Sequence, residues 1–297
     1  MSPLLLLPLL SAFLYAVASL FLRRSFQEGV GFVRTLFLSN IVMGLLILVL
    51  LFFQSEPIHW DKIHLPLIAG AFFFLGQAFT FVAIRAGDVS VVTPTMGTKV
   101  IFVALFGSLF FGRGLSLIGW LAVILAGLAV VLLGLTRDPT GSRKNVVVAI
   151  GWALVSSSFF SISDNLVFEW SSEFGRPAFL VVQFLIVAVV SFALIPFFSE
   201  PLRMVSRPAW FWVGWGSFLL GLQALFLGIS LTYEDPTVVN TLYSSRGLWA
   251  VLLVSTIGLW FGNLEGLLAR WILLVRLGGS VLILLAIYLM LFVAGVR

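Results

Sequence analysis

A chain of 297 residues that is 61% hydrophobic and 10% charged, with a mean hydropathy of +1.17, is far too apolar for a soluble domain, where about a quarter of residues are charged. It is an integral membrane protein, and its formal charge of +5 sits mostly in short loops rather than in a basic stripe that could bind nucleic acid. The absence of cysteine excludes disulfides, zinc–thiolate sites and iron–sulfur clusters.

A membrane-spanning helix needs about 20 apolar residues. Ten such runs are read between charged or turn-rich breaks. The first covers 3–22 and is closed by Arg23 and Arg24. Its Ala16-Val17-Ala18 mimics a signal cleavage site, but no basic residue precedes it, so it is expected to stay as a helix. The second and third cover about 31–53 and 65–84, joined by a polar linker that holds His59 and His64. After a short break at 85–88 come the fourth and fifth, 89–111 and 115–135, with Gly112-Arg113-Gly114 between them. Residues 137–144 are the most linker-like stretch of the chain. Beyond it the expected helices are 146–168, 178–198, 209–232, 236–261 and 271–293, with Pro196, Pro201 and Pro208 crowding one junction.

Two of these runs carry a cation near their centres. Lys99 follows Val92-Thr93-Pro94-Thr95-Met96-Gly97-Thr98, and Arg246 follows Val239-Asn240-Thr241-Leu242-Tyr243-Ser244-Ser245. The lead-ins also match, with Asp88 before one and Asp235 before the other. An unpaired charge at the centre of a bilayer costs roughly 2.5–3.5 kcal/mol on insertion scales, so a cation kept there points to function. Lys99 and Arg246 are read as lining a cavity and attracting an anion. Snorkelling to an interface, or pairing with Asp164 or Glu169, are the structural alternatives.

Other polar groups fall inside helices. Asp164 and Asn165 follow a hydroxyl-rich run, Ser156-Ser157-Ser158 and Ser161-Ile162-Ser163. Asp164 could couple protons, bind a substrate amine or serve as counter-ion to Arg246. Gln77, Gln223 and Asn240, with Asn40 and Gln183, could hydrogen-bond a substrate or hold helices together. Thr95, Tyr243 and Trp249, with Tyr15, are further lining candidates, although Tyr and Trp are equally expected as interface anchors. Arg276 is read as interfacial.

A shift of about 146 residues pairs Gln77 with Gln223, Thr93 with Asn240 and Lys99 with Arg246. Five helices per half is an odd number, so similar halves would insert upside down relative to each other. The reading is an all-α membrane protein of ten transmembrane helices in two inverted five-helix repeats, 1–136 and 146–297, joined by a linker at 137–145.

The five-plus-five pattern, the break before the fourth and ninth helices, the turn Gly112-Arg113-Gly114-Leu115 and the segment 120–127 resemble EamA-type members of the drug/metabolite transporter superfamily. The resemblance spans essentially the whole chain, although the usual Gly-Glu-Arg/Pro-Leu turn departs here to Gly-Arg-Gly-Leu. It implies a secondary transporter, and Lys99 and Arg246 are expected to attract a small anionic or zwitterionic metabolite, such as an amino acid, organic acid or phosphorylated compound. It also implies a cell inner membrane location, no cofactor, no bound metal, no nucleic-acid partner, contact with lipids and a homodimer as an open option. A lipid-headgroup flippase, a multidrug or cation exporter centred on Asp164, and a membrane-embedded enzyme or receptor are the alternatives. No Walker loop, paired metal-spaced histidines or nucleophile elbow favours an enzyme.

Orientation sets two arguments against each other. The family places both termini in the cytoplasm, whereas Arg23, Arg24, Arg34, Arg85, Arg137, Arg143, Lys144, Arg203, Arg207 and Arg270 lie on the side opposite the termini, against Lys62, Arg113, Arg176 and Arg297 on the terminal side, and favour the reverse. We adopt the family orientation, because several of those arginines can serve the cavity mouth. Cysteines placed at Ser2 and Ser142 of this cysteine-free chain test it. Labelling of Ser142→Cys but not Ser2→Cys by an impermeant thiol reagent added outside is the expected result, and the opposite pattern reverses the topology.

Overall fold

In the computed structural model, residues 2–86, 92, 95–134, 146–261 and 270–293 are described. These residues are helical apart from the turns and linkers that join the helices. The first half contains α1 (Leu6–Gln27), α2 (Phe32–Leu46), α3 (His64–Ala86), α4 (Lys99–Phe111) and α5 (Leu117–Gly134). The second contains α6 (Val146–Phe174), α7 (Arg176–Val190), α8 (Arg207–Tyr233), α9 (Pro236–Tyr243), α10 (Arg246–Ile257) and α11 (Arg270–Tyr288). Among the described residues, six segments are long and apolar enough to cross a membrane: Pro3–Gln27, Phe32–Phe53, Trp60–Ile84, Val147–Phe174, Arg176–Phe197 and Arg207–Tyr233. The expected lead-in at Asp88, Thr93, the linker at 137–145 and the side chains of Arg85 and Arg276 lie outside the described residues.

Local chemistry sets the helix ends. Pro177, Pro208 and Pro236 stand in the first turns of α7, α8 and α9, where no backbone N–H is needed. Ser206 and Asp235 cap α8 and α9 by accepting backbone N–H bonds from Ala209 and from Thr237 and Val238. Gly31 and Gly175 precede α2 and α7 with φ of 78° and 109°, values that a side chain resists. Both of those helices then tighten into 3₁₀ turns, Ile47–Phe53 and Ser191–Phe197.

Boundaries differ from the sequence expectation at several places, the first being α1, which runs past 22 through Arg23 and Arg24 to Gln27. The helix expected to end at 168 continues to Phe174, because Glu169 is neutralised by Arg113 and need not leave the bundle. The helix expected over 236–261 is instead two, α9 and α10, separated at Ser244-Ser245. A matching turn at Gly97-Thr98 precedes α4.

In a bilayer, helices associate through close packing and hydrogen bonds rather than through hydrophobic gain. Accordingly α3 packs along α6, α1 along α8 and α5 along α11, while α2 lies against both α7 and α8. The central buried cluster gathers Met43, Ile47, Leu166, Val167, Phe179, Leu180, Phe184, Leu231 and Val239. Glycines permit the tightest approaches. A Cβ on Gly70 would stand 2.4 Å from Ile186 Cγ2 and 2.8 Å from the Gln183 carbonyl oxygen. Serines of α6 tie the layers together: Ser156 Oγ donates to the Gly76 carbonyl at 2.7 Å and Ser163 Oγ to the Ala69 carbonyl at 2.9 Å. Substituting Gly70→Val must therefore force α3 away from α7. Overpacking of this kind costs about 1–3 kcal/mol, and thermal unfolding in detergent should show a lowered Tm, whereas an unchanged Tm contradicts the packing.

Candidate functional site

The bundle encloses a cavity of about 310 Å³ lined by α1, α2, α3, α6, α7, α8, the last residue of α9 and the first residues of α4 and α10. It extends from Phe26 and Phe32, beside the turn joining α1 to α2, to Val167, Leu180 and Leu231, near the opposite ends of their helices. Among the described residues, the charged side chains that line it are Lys99, Asp164 and Arg246.

The interruption of two helices creates this charge arrangement. Lys99 and Arg246 are the first residues of α4 and α10, each directly after a turn, rather than members of unbroken helices. Side chains support both breaks. Thr98 Oγ1 donates to the Thr95 carbonyl at 2.7 Å, and Ser161 Oγ on α6 donates to the Lys99 carbonyl at 3.1 Å. At the other break, Ser244 Oγ donates to the Thr241 carbonyl at 2.5 Å and the Ser244 N–H returns to the Asn240 carbonyl at 2.9 Å. The hydroxyl-rich run of α6 thus supplies bonds that irregular backbone inside a membrane requires.

Asp164 pairs with Lys99, Nζ to Oδ2 at 2.6 Å, rather than with Arg246. Asn240 Nδ2 donates to the same carboxylate oxygen at 2.8 Å. Arg246 is held differently: its guanidinium lies 5.1 Å from the Tyr15 ring centroid and 4.7 Å from that of Tyr243. Cation–π contacts of this kind are worth about 0.5–2 kcal/mol. Among the described residues, no carboxylate lies within ion-pairing distance of Arg246.

The expected site residues divide into two groups. Lys99, Arg246, Asp164, Gln77, Gln223 and Tyr243 line the cavity. Gln77 and Asn40 exchange amide hydrogen bonds, each at 2.8 Å, and Gln223 Nε2 donates to Ser11 Oγ at 3.1 Å. These amides therefore join helices while facing the cavity. Asn240 stands behind the wall as a support for Asp164, and Thr95 belongs to the turn before Lys99. Trp249 packs edge-on against Phe13, with ring centroids 5.3 Å apart. Asn165 turns away from Asp164, and its side-chain oxygen accepts from Arg113.

That last contact belongs to a cluster that sequence reasoning missed, because Arg113 reads as a loop cation. Arg113 reaches Glu169 on α6 at 3.2 Å and Asp235, the cap of α9, at 3.1 Å, and is also packed over the Phe168 ring. It thereby fastens the α4–α5 turn to α6 and to the start of α9 at the end of the bundle away from Phe26 and Phe32. A signal did exist: Glu169 and Asp235 are two acids near helix ends with no local cation to answer them. A double-mutant cycle of Arg113→Gln and Asp235→Asn, read by thermal unfolding, should give a coupling of about 1–2 kcal/mol, within the range for neighbouring ionic partners. Additive effects contradict the pairing.

Residues 2–135 match the EamA-like transporter family. No curated protein matches the chain. A solved structure described only as the crystal structure of a protein superposes with a TM-score of 0.77, covering 99% of this chain and 98% of that one at 16% identity. At that identity the likeness concerns the fold alone.

Proposed function

We propose, from the match of residues 2–135 to the EamA-like transporter family, that this chain is a secondary transporter that moves a small anionic or zwitterionic metabolite by alternating access. The observation that carries the reading is the cavity itself, which gathers Lys99 and Asp164 with Arg246 between helices of both halves. Half-helices that begin at a central cavity are how secondary transporters present charge to a substrate near the bilayer midplane.

The packing supports two inverted repeats. Exchanging each first-half helix for its second-half counterpart turns the α3–α6 contact into α8–α1, the α4–α6 contact into α10–α1 and the α2–α8 contact into α7–α3. The 3₁₀ endings of α2 and α7, and the breaks before Lys99 and Arg246, follow the same exchange. In this account the cavity is in one access state. It is reached from the α1–α2 turn, and the Arg113 cluster with the buried Val167, Leu180 and Leu231 closes the other end. Opening that end requires Arg113 to release Asp235 or Glu169. The membrane is read as the plasma or cell inner membrane.

An exporter of cations centred on Asp164 is the poorer fit, because that carboxylate is already occupied by Lys99 and Asn240. The test is uptake into proteoliposomes of radiolabelled organic acids and amino acids. Compared at equal amounts of folded protein, Arg246→Gln should lower uptake about tenfold or more, the loss of one charge-assisted hydrogen bond, and Lys99→Gln should lower it comparably by leaving Asp164 unpaired in the cavity. Normal uptake by both variants overturns the site assignment.

A further inference from the structure

Charge bookkeeping inside the cavity narrows the substrate class further, and it rests on the transport reading above. Three charged side chains line the cavity among the described residues, and two of them cancel. The Asp164 oxygen that binds Lys99 also accepts from Asn240, so an incoming ammonium group would have to displace a donor to reach it. Arg246 remains as the single positive charge, with aromatic faces from Tyr15 and Tyr243 as its partial compensation.

Two polar atoms in the wall around the cavity are unsatisfied among the described residues. The Ser245 hydroxyl, on a residue 5% exposed and next to Arg246, has no hydrogen-bond partner among the described residues. The amide oxygen of Gln183, a lining residue 1% exposed, has none either. Most of the remaining wall is apolar, with Phe26, Phe32, Phe73, Phe160, Phe184 and Leu227 prominent. The volume of about 310 Å³ is at the small end of the roughly 300–1,000 Å³ typical of ligand pockets.

We infer that the substrate is a monoanion with an apolar body: one carboxylate or similar acidic group on Arg246, and a hydrocarbon or aromatic body against the phenylalanine wall. A dianion leaves one charge unanswered in an apolar chamber, and a zwitterion or cation brings an ammonium with no free carboxylate to receive it. Bidentate contact from a guanidinium suits a planar carboxylate better than a point charge does.

Four compounds that share a phenyl body test this: phenylacetate, phenylmalonate, phenylalanine and phenethylamine, with acetate as the control that lacks the body. Binding to the full chain in detergent is measured by ligand-induced thermal shift and by titration. Phenylacetate should bind at least about tenfold more tightly than each of the others. Arg246→Gln should abolish that preference, and Arg246→Lys, which keeps the charge but not the fork, should restore part of it. A ligand-free unfolding transition for each variant separates loss of binding from loss of fold.

The outcomes separate the two readings. If phenylalanine or phenylmalonate binds as tightly as phenylacetate, and Arg246→Gln removes that binding, the monoanion inference is overturned while the anion-attracting cavity stands. Tightest binding by phenethylamine, or binding indifferent to Arg246→Gln, overturns both. Acetate matching phenylacetate overturns the role of the apolar wall, and with it the inference.

Discussion

The ion pair of Lys99 with Asp164, at 2.6 Å and with side chains 14% and 5% exposed, is the constraint on which the rest of the site depends. Neither charge is tolerable alone at this depth, since desolvation of an isolated ion in a protein interior costs several kcal/mol. Together, and with Asn240 as a second donor to the carboxylate, they form a neutral unit that holds α4, α6 and α9 in register. Lys99 can therefore occupy a membrane cavity without a ligand. The neutral unit also leaves Arg246 as the charge that gives the cavity its sign.

The same helices connect the site to the closed end of the bundle. Asp235 caps α9 and binds Arg113, and one turn further along α9 Asn240 binds Asp164. On α6, the neighbouring residues Asp164 and Asn165 face in different directions, one to Lys99 and the other to Arg113. A movement of α9 relative to α6 must consequently disturb both clusters. This is a physical route between the cavity and the Arg113 cluster that needs no intermediary beyond two short helical segments.

Much of the fold was legible from the chain because membrane helices announce themselves by length and apolarity. The two broken helices were legible only in part. Gly97-Thr98 and Ser244-Ser245 are small and polar, but in a run of apolar residues they read as tolerated members of a helix rather than as its interruption. The difference matters, because it places Lys99 and Arg246 at helix starts. Asp164 was legible as a buried acid, yet its partner was not: spacing cannot tell Lys99 from Arg246 when both lie on other helices. The partners of Arg113 were not legible for a related reason. A cation flanked by glycines in a turn looks solvated until the acids from α6 and α9 are brought to it by packing.

The account makes the two basic residues opposites in the empty protein, one compensated and one not. Thermal unfolding of the ligand-free variants in detergent measures this directly. Lys99→Gln should destabilise the protein strongly, by up to about 3–5 kcal/mol, because it strands Asp164. Arg246→Gln should leave stability unchanged or raise it, because it removes a buried charge that no carboxylate pairs with among the described residues. A destabilising Arg246→Gln beside a tolerated Lys99→Gln would contradict the account and make Arg246 the structural residue.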